Sequence, residues 1–284
     1  MIPYLNIEIF KIGPLTIHIW GFVVSIGFLI ALWIAHRRAK RLKLSPNVIL
    51  DLGFWILIGA FIGARLFHVL FYQWGYYATH LSEIIRIDKG GLSSFGGFIG
   101  AAVAFLVYGW NKFHNPSQPP LTLRGGDDRN PPLKLRGGVG GVMLRYADVL
   151  MYAWPVGHGI GRIGCFLTHM HPGRLSSMPW AVQYPGGTRL DMGLIESVML
   201  LSYWVVMYLY TRSRKVFEGF YIVSGMIFYG TMRFVLDFFR AADLPVSDAR
   251  YLGLAPAQYG GILLVIGGIM LYIKGQSLRK RTVL

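Results

Sequence analysis

Gly157-His158-Gly159-Ile160-Gly161-Arg162-Ile163-Gly164-Cys165-Phe166 lies in a run apolar enough to cross a bilayer, yet it carries an arginine and four glycines. An arginine at the centre of a hydrocarbon slab costs roughly 2.5–3.5 kcal/mol on insertion scales. A residue that costly persists where it faces an interior that uses it. The glycines strip side-chain bulk from the same stretch, which lets a helix or a ligand approach the backbone. A cation on a smooth helical face reads as a pocket for an anionic group.

The chain on either side has the same apolar character. Of 284 residues, 54% are hydrophobic and 14% charged, which excludes a disordered chain and argues against a soluble domain. Seven apolar runs are expected as membrane spans: 15–35, 48–72, 91–110, 148–167, 191–210, 217–239 and 255–273. The expected fold is therefore an all-α integral membrane protein with seven transmembrane helices. Residues 1–14 are expected as an extended or interfacial lead-in, and 168–190 as a loop rich in Pro and Gly. No basic region precedes the first apolar run, so the first span is expected to act as its own insertion signal. The single cysteine, Cys165, has no partner for an intrachain disulfide.

Orientation follows from the basic residues. Alternate loops hold 18 Lys and Arg on one side and 7 on the other, and three more (Arg65, Arg162, Arg233) lie inside spans. This places the N-terminus outside and the C-terminus in the cytoplasm. The net charge of +15 is then the mark of cytoplasmic loops, and no nucleic-acid partner is expected.

Residues 114–147 stand apart. Pro119-Pro120-Leu121-Thr122-Leu123-Arg124-Gly125-Gly126 recurs as Pro131-Pro132-Leu133-Lys134-Leu135-Arg136-Gly137-Gly138. Two Pro/Gly-rich copies are too few for a solenoid and are expected as a flexible, basic cytoplasmic insertion. The rest, 1–113 and 148–284, is expected to form one membrane domain.

The ionisable residues within spans carry the chemistry. His158, Arg162 and Cys165 share a helical face, as do Tyr229, Arg233, Asp237 and Arg240, and again Phe61, Arg65, His68 and Tyr72. Three faces, each with a cation, are expected to line a central polar cavity. Arg65 also has a structural reading, paired with Asp51, Glu196 or Asp148. Arg233 and Asp237 are spaced to satisfy one another. Arg162 has no carboxylate one turn away, which favours a ligand.

Gly159-Ile160-Gly161-Arg162-Ile163-Gly164-Cys165-Phe166-Leu167 resembles the signature of prolipoprotein diacylglyceryl transferases. So do Gly63-Ala64-Arg65-Leu66-Phe67, Gly90-Gly91-Leu92-Ser93-Ser94-Phe95-Gly96-Gly97, the run from Tyr229-Gly230-Thr231-Met232-Arg233 to Asp237-Phe238-Phe239-Arg240, and Gly253-Leu254-Ala255-Pro256-Ala257-Gln258. The resemblance spans nearly the whole chain except 114–147. It implies a bacterial inner-membrane enzyme that moves the diacylglyceryl group of phosphatidylglycerol onto the lipobox cysteine of preprolipoproteins, releasing glycerol phosphate. It implies a phosphatidylglycerol-binding role for Arg162 and an essential role for Arg233. With Arg65 and Asp237, from the helical faces described above, these are the expected phosphatidylglycerol-binding residues. Arg233 is also expected to be catalytic, and no cofactor or metal is expected. A guanidinium grips a phosphate by two parallel hydrogen bonds, and charge grows on that phosphate as it leaves.

The chain departs from the family pattern at Phe95, where a His is usual, at Cys165, usually Asn, at Met170, usually Glu, and at Trp20, usually Tyr. His158 is the expected proton acceptor, with His169 and His171 as further imidazoles. A catalytically weak or inactive relative that still binds anionic phospholipid is the alternative expectation. A transporter or channel is disfavoured, because the spans show neither inverted repeats nor paired acids for a proton relay.

Overall fold

The computed structural model describes residues 1–86, 91–114, 138–214, 216–244 and 250–281, with the side chains of 15, 94, 95 and 275–281 outside that description. The chain divides into two compact units, one of Met1–Ala35 with Ala147–Leu284, the other of His36–Tyr146. Both boundaries fall inside helices, so α1 (Ile19–Arg41) and α5 (Gly138–Leu167) each contribute to both.

The first unit opens with a hairpin of β1 (Ile9–Ile12) and β2 (Leu15–His18), in register from Ile9↔His18 to Ile12↔Leu15. Its two-residue turn has Gly13 at φ +58 followed by Pro14, and that positive φ suits the hairpin's twist. Thus the lead-in expected as extended is paired, and the first helix begins at Ile19 rather than Leu15. The expected loop at 168–190 is likewise a sheet, with β5 (Gly187–Asp191) central between β3 (Pro172–Leu175) and β4 (Val182–Tyr184). Pro185-Gly186 turns β4 into β5, with Gly186 at φ +88 in the place a type II turn reserves for Gly. Short irregular strands with a bulge between Pro172 and Leu175 leave little alternation to read in the sequence.

Strand β5 runs straight into α6 (Met192–Thr211), and Asp191 caps it by accepting Leu194 N–H at 3.0 Å. Helix α7 (Phe220–Leu236) starts after Gly219, and Asp148 Oδ1 on α5 accepts its N–H groups at Tyr221 (2.7 Å) and Ile222 (3.1 Å). Helix α8 spans Pro256–Arg281. Small residues bring these helices together: a Cβ at Gly157 would overlap the Gly27 carbonyl of α1, and one at Gly230 the Gly261 carbonyl of α8. Leu190, Met192, Leu200, Met232 and Leu236 form the buried core shared by α6 and α7.

In the second unit α2 (Pro46–Phe67) begins with Pro46 in its first turn, where its missing N–H is not needed, and continues as a π-helical turn over His68–Tyr72. The short α3 (Trp74–Tyr77) and a 3₁₀ turn at Leu81–Glu83 follow, then α4 (Ser94–His114). Helix α4 lies backbone to backbone on α2 through Gly96 against Gly63 and Gly100 against Gly59.

Five described helices are long and apolar enough to cross a membrane: Ile19–Arg41, Pro46–Tyr72, Met192–Thr211, Phe220–Phe239 and Pro256–Lys274. They coincide with the expected spans one, two, five, six and seven. Helices α4 and α5 occupy the places expected for spans three and four. Residues 115–137, most of the expected insertion, lie outside the described residues. Its last part is helical, because α5 starts at Gly138 and not at Asp148.

Candidate active site

Three helices of the first unit each deliver one charged group to a common point. Arg162 comes from α5, Glu196 from the second turn of α6, and Arg233 from the last turn of α7. The Glu196 carboxylate is shared: Arg233 Nη1 donates to Oε1 at 2.6 Å, and Arg162 Nε lies 2.8 Å from Oε2. The second contact is an ion pair off hydrogen-bond angle, since Arg162 Nε–H does not point along it. Asp237, one turn after Arg233, stands 3.8 Å from Arg233 Nη2.

Exposure orders these charges. The carboxylates of Glu196 and Asp237 are 1% exposed, whereas the side chains of Arg162 and Arg233 are 15% and 12% exposed. The acids therefore lie behind and the guanidiniums in front. One carboxylate serving two guanidiniums fixes both forks while leaving N–H groups over. Arg233 Nε makes no hydrogen bond among the described residues. Such a pair presents convergent donors to an anion in a medium of low dielectric, where charge-assisted bonds are strong.

Tyr229, one turn before Arg233, faces both guanidiniums. The Cys165 Sγ sits 3.8 Å from Arg162 Nη1, buried. His158 lies one turn before Arg162, its ring 5.1 Å from Trp154 and 5.6 Å from Tyr229. Its Nε2 is buried and has no hydrogen-bond partner among the described residues.

One sequence expectation needs correction, at Arg65. Of the helix or ligand expected against the glycines around Arg162, a helix is what Gly157, Gly159 and Gly164 meet. A Cβ at Gly157 would meet Gly27 and Ala31, one at Gly164 would meet Trp20 and Val23, and one at Gly159 would meet Leu200 and Leu201. They serve close packing against α1 and α6. Arg65, expected among the lipid-binding arginines, belongs to the second unit and is engaged by backbone there. Its Nε donates to Ile84 O (2.7 Å), Nη2 to Glu83 O (2.7 Å) and Arg86 O (3.0 Å), and Nη1 to Gly91 O (3.1 Å). With Tyr77 stacked under its guanidinium at 5.1 Å, Arg65 clasps the loop that follows α3. None of its three suggested carboxylate partners is needed for this.

Of the other two imidazoles, His169 is buried, with Nδ1 2.9 Å from Asp191 Oδ2, while Tyr184 donates to the same oxygen at 2.6 Å. His171, just before β3, is driven down to about 3 by burial and by Arg162, Arg240 and Arg233 nearby. Met170 is exposed to solvent, and the side chain of Phe95 lies outside the described residues.

The sequence model of prolipoprotein diacylglyceryl transferases matches residues 7–121 and 136–274. The chain belongs to this family. A phosphatidylglycerol–prolipoprotein diacylglyceryl transferase of Finegoldia magna is 31% identical over 267 residues, covering 93% of this chain and 94% of the relative. Those of Pseudomonas entomophila (30% over 287 residues, 95% and 94% covered) and Streptococcus uberis (27% over 272 residues, 93% and 92% covered) are similar to it along the same length. The stretch between the two matched segments, 122–135, falls inside the expected insertion.

Within this family member the sequence reading misses the residue that joins the arginines. Glu196 is visible by the same rule that singles out Arg162, since it is an ionisable group inside an apolar span. In the sequence it reads only as a partner for Arg65, because spacing along one helix says nothing about which helix lies opposite. The Asp191–His169–Tyr184 cluster gives no signal, because it assembles from a strand, a turn and a helix start.

Proposed function

We propose that this chain transfers the diacylglyceryl group of phosphatidylglycerol to a prolipoprotein, as the names of its relatives describe, with a cysteine thiol as the acceptor. The observation that supports this reading best is the pair of largely buried guanidiniums, Arg162 and Arg233, that share the buried Glu196 and keep a little surface open. In this reading the phosphate of the lipid takes the remaining N–H groups of both. Its charge grows as the bond to the glyceryl carbon breaks, so the same donors hold the leaving group more tightly than the substrate. Asp237 keeps Arg233 in place from behind. The attacking group is the substrate's thiol, which must be near thiolate to react. Two imidazoles flank Arg162 along α5, His158 toward the helix start and His169 beyond its end, and either has the chemistry to receive the thiol proton. Seven spans with the N-terminus outside and the C-terminus in the cytoplasm of a bacterial inner membrane accompany this reading, on the strength of the 18 to 7 distribution of basic residues.

The test is to incubate purified protein with phosphatidylglycerol vesicles and a lipobox peptide, and to weigh the peptide. A mass gain of one diacylglyceryl group is expected, with release of glycerol phosphate. Lipid binding without any mass gain would favour a family member that has lost its chemistry, a reading to which the departures at Phe95, Cys165 and Met170 give substance.

A further inference from the structure

Helices α5 and α6 are joined at two rungs. One is Arg162 to Glu196, the other His169 to Asp191. The second rung is the more tightly specified. Asp191 accepts from His169 Nδ1, from the Tyr184 hydroxyl and from Leu194 N–H, so its carboxylate is fixed from three directions. His169 stacks on Tyr4 at 4.3 Å and meets Phe166 edge-on at 5.5 Å. A carboxylate at Nδ1 calls for the proton on that nitrogen, which leaves the lone pair on Nε2. That Nε2 is buried and has no hydrogen-bond partner among the described residues.

The backbone adds a second observation. His169 takes φ +45 at the end of α5, where Met170 N–H closes back onto Cys165 O at 3.1 Å. Glycine fits that left-handed position at least cost. A histidine placed there, with one nitrogen oriented by a carboxylate and the other without a partner among the described residues, is arranged for use.

We infer that His169, oriented by Asp191, is the imidazole that takes the proton from the incoming cysteine thiol. The inference rests on the transferase reading above. Its geometry agrees with the reach of the reaction. Glu196 stands five positions beyond Asp191, the cap of α6, or about 8 Å at the helical rise, and His169 lies two residues past the end of α5. With the lipid phosphate on Arg162 and Arg233, the reacting carbon is two bonds from phosphorus. A thiol in line behind that carbon, and a base at hydrogen-bond distance behind the thiol, put the base about 8–9 Å from phosphorus. His158 stands one turn from Arg162, about 6 Å along the helix toward its start. No carboxylate orients it among the described residues.

The step balances without a further reactant. Nε2 takes the thiol proton, and the sulfur pair forms the S–C bond at the glyceryl carbon. The C–O bond to phosphate breaks and its pair leaves on the phosphate oxygen. The imidazolium, stabilised meanwhile by Asp191, gives its proton up to solvent once the products have left, and the phosphate departs carrying the charge. Tyr4, on the N-terminal segment ahead of β1, stacks on one face of the imidazole at 4.3 Å and leaves the ring edge that carries Nε2 to the thiol.

The experiment compares two lipobox peptides, one with cysteine and one with selenocysteine in its place, on wild type, His169→Gln and His158→Gln, each normalised to folded protein. A selenol is already ionised at neutral pH and needs no base. His169→Gln should lose about 10²–10⁴-fold on the cysteine peptide and come within about tenfold of wild type on the selenocysteine peptide. A loss equal on both peptides would assign His169 a structural role and overturn the inference, as would a His169→Gln enzyme at wild-type rate on cysteine. Rescue by selenocysteine confined to His158→Gln would move the proton to that residue instead. A wild type that modifies neither peptide would overturn the transferase reading, and the inference with it.

Discussion

Arg65 and Arg162 are both arginines set in apolar helices, and the protein answers them differently. Around Arg65 four carbonyl oxygens, those of Glu83, Ile84, Arg86 and Gly91, accept from the guanidinium among the described residues, and the residue is 5% exposed. Neutral acceptors take up donors of that fork, and little of its surface stays open. Arg162 shares one carboxylate with Arg233, and both side chains keep more than a tenth of their surface open. A charge inside a membrane protein is thus a poor guide to a binding site by itself. What distinguishes a site is the donor capacity left after the protein's own acceptors are counted.

The sharpest way to break this comparison is to remove the shared carboxylate. Glu196→Leu strips the partner from two largely buried guanidiniums, a change that costs about 3–5 kcal/mol in buried pairs. Thermal unfolding in detergent should show that loss, and transfer per folded molecule should fall below detection. Full activity in a folded Glu196→Leu protein would separate the arginine pair from the chemistry.

Next in size is the fork itself. Arg162→Lys keeps the charge and loses the bidentate grip, so its transfer rate should drop about 10²–10³-fold, nearly as far as Arg162→Ala. Arg65→Lys should do the opposite: lower the melting temperature and leave the rate per folded molecule within a few fold. An Arg162→Lys enzyme at wild-type rate, or an Arg65→Lys enzyme that is stable but inactive, would reverse the assignment of the two arginines.

A smaller effect is expected at Cys165. Its thiol lies beside Arg162 but is buried, and the proposed reaction uses the substrate's sulfur. Cys165→Ala should retain activity within a few fold, measured by peptide mass gain. A covalent adduct on Cys165 would contradict this.

The smallest effect is a pH slope from His171. Burial, then Arg162, Arg240 and Arg233, hold its folded affinity for protons low, at about 3 against the ordinary 6.5. The unfolded chain therefore binds the proton first as pH falls. Stability is whole above about pH 6.5 and is lost progressively from there toward about pH 3. His171→Leu should flatten this acid loss, seen as a melting temperature that declines less between about pH 6.5 and about pH 4.5 than in wild type. Parallel declines would remove His171 from the vicinity of the arginines.

The helices were legible because a bilayer solvent forces long apolar runs, and the expected starts of spans five and seven, 191 and 255, fall within one residue of the observed helix starts at Met192 and Pro256. Arg162 and Arg233 were legible for the converse reason: they interrupt such runs. The sheet of β3, β4 and β5 was not, because three short strands with a bulge and a Pro-Gly turn look like a loop. The beginning of α5 was missed too, since the glycines at 138, 140 and 141 argue locally against a helix that tertiary packing nonetheless forms. Above all, the pairing of Glu196 with both arginines depends on helix rotation, which one-dimensional spacing does not encode.

That rotation has an unexpected source. Asp191 is at once the last residue of β5 and the cap of α6, so no linker absorbs a change between them. The register of a small sheet outside the apolar helices therefore sets the azimuth of α6, and Glu196 lies five positions along from that fixed point. One residue inserted after Leu190 would turn every side chain of α6 by about 100° relative to the strand. The carboxylate would leave the arginines though no residue of the site had been altered. The β4–β5 hairpin acts as a vernier for the charged centre, and length changes in it should be far less tolerated than their distance from the chemistry would imply.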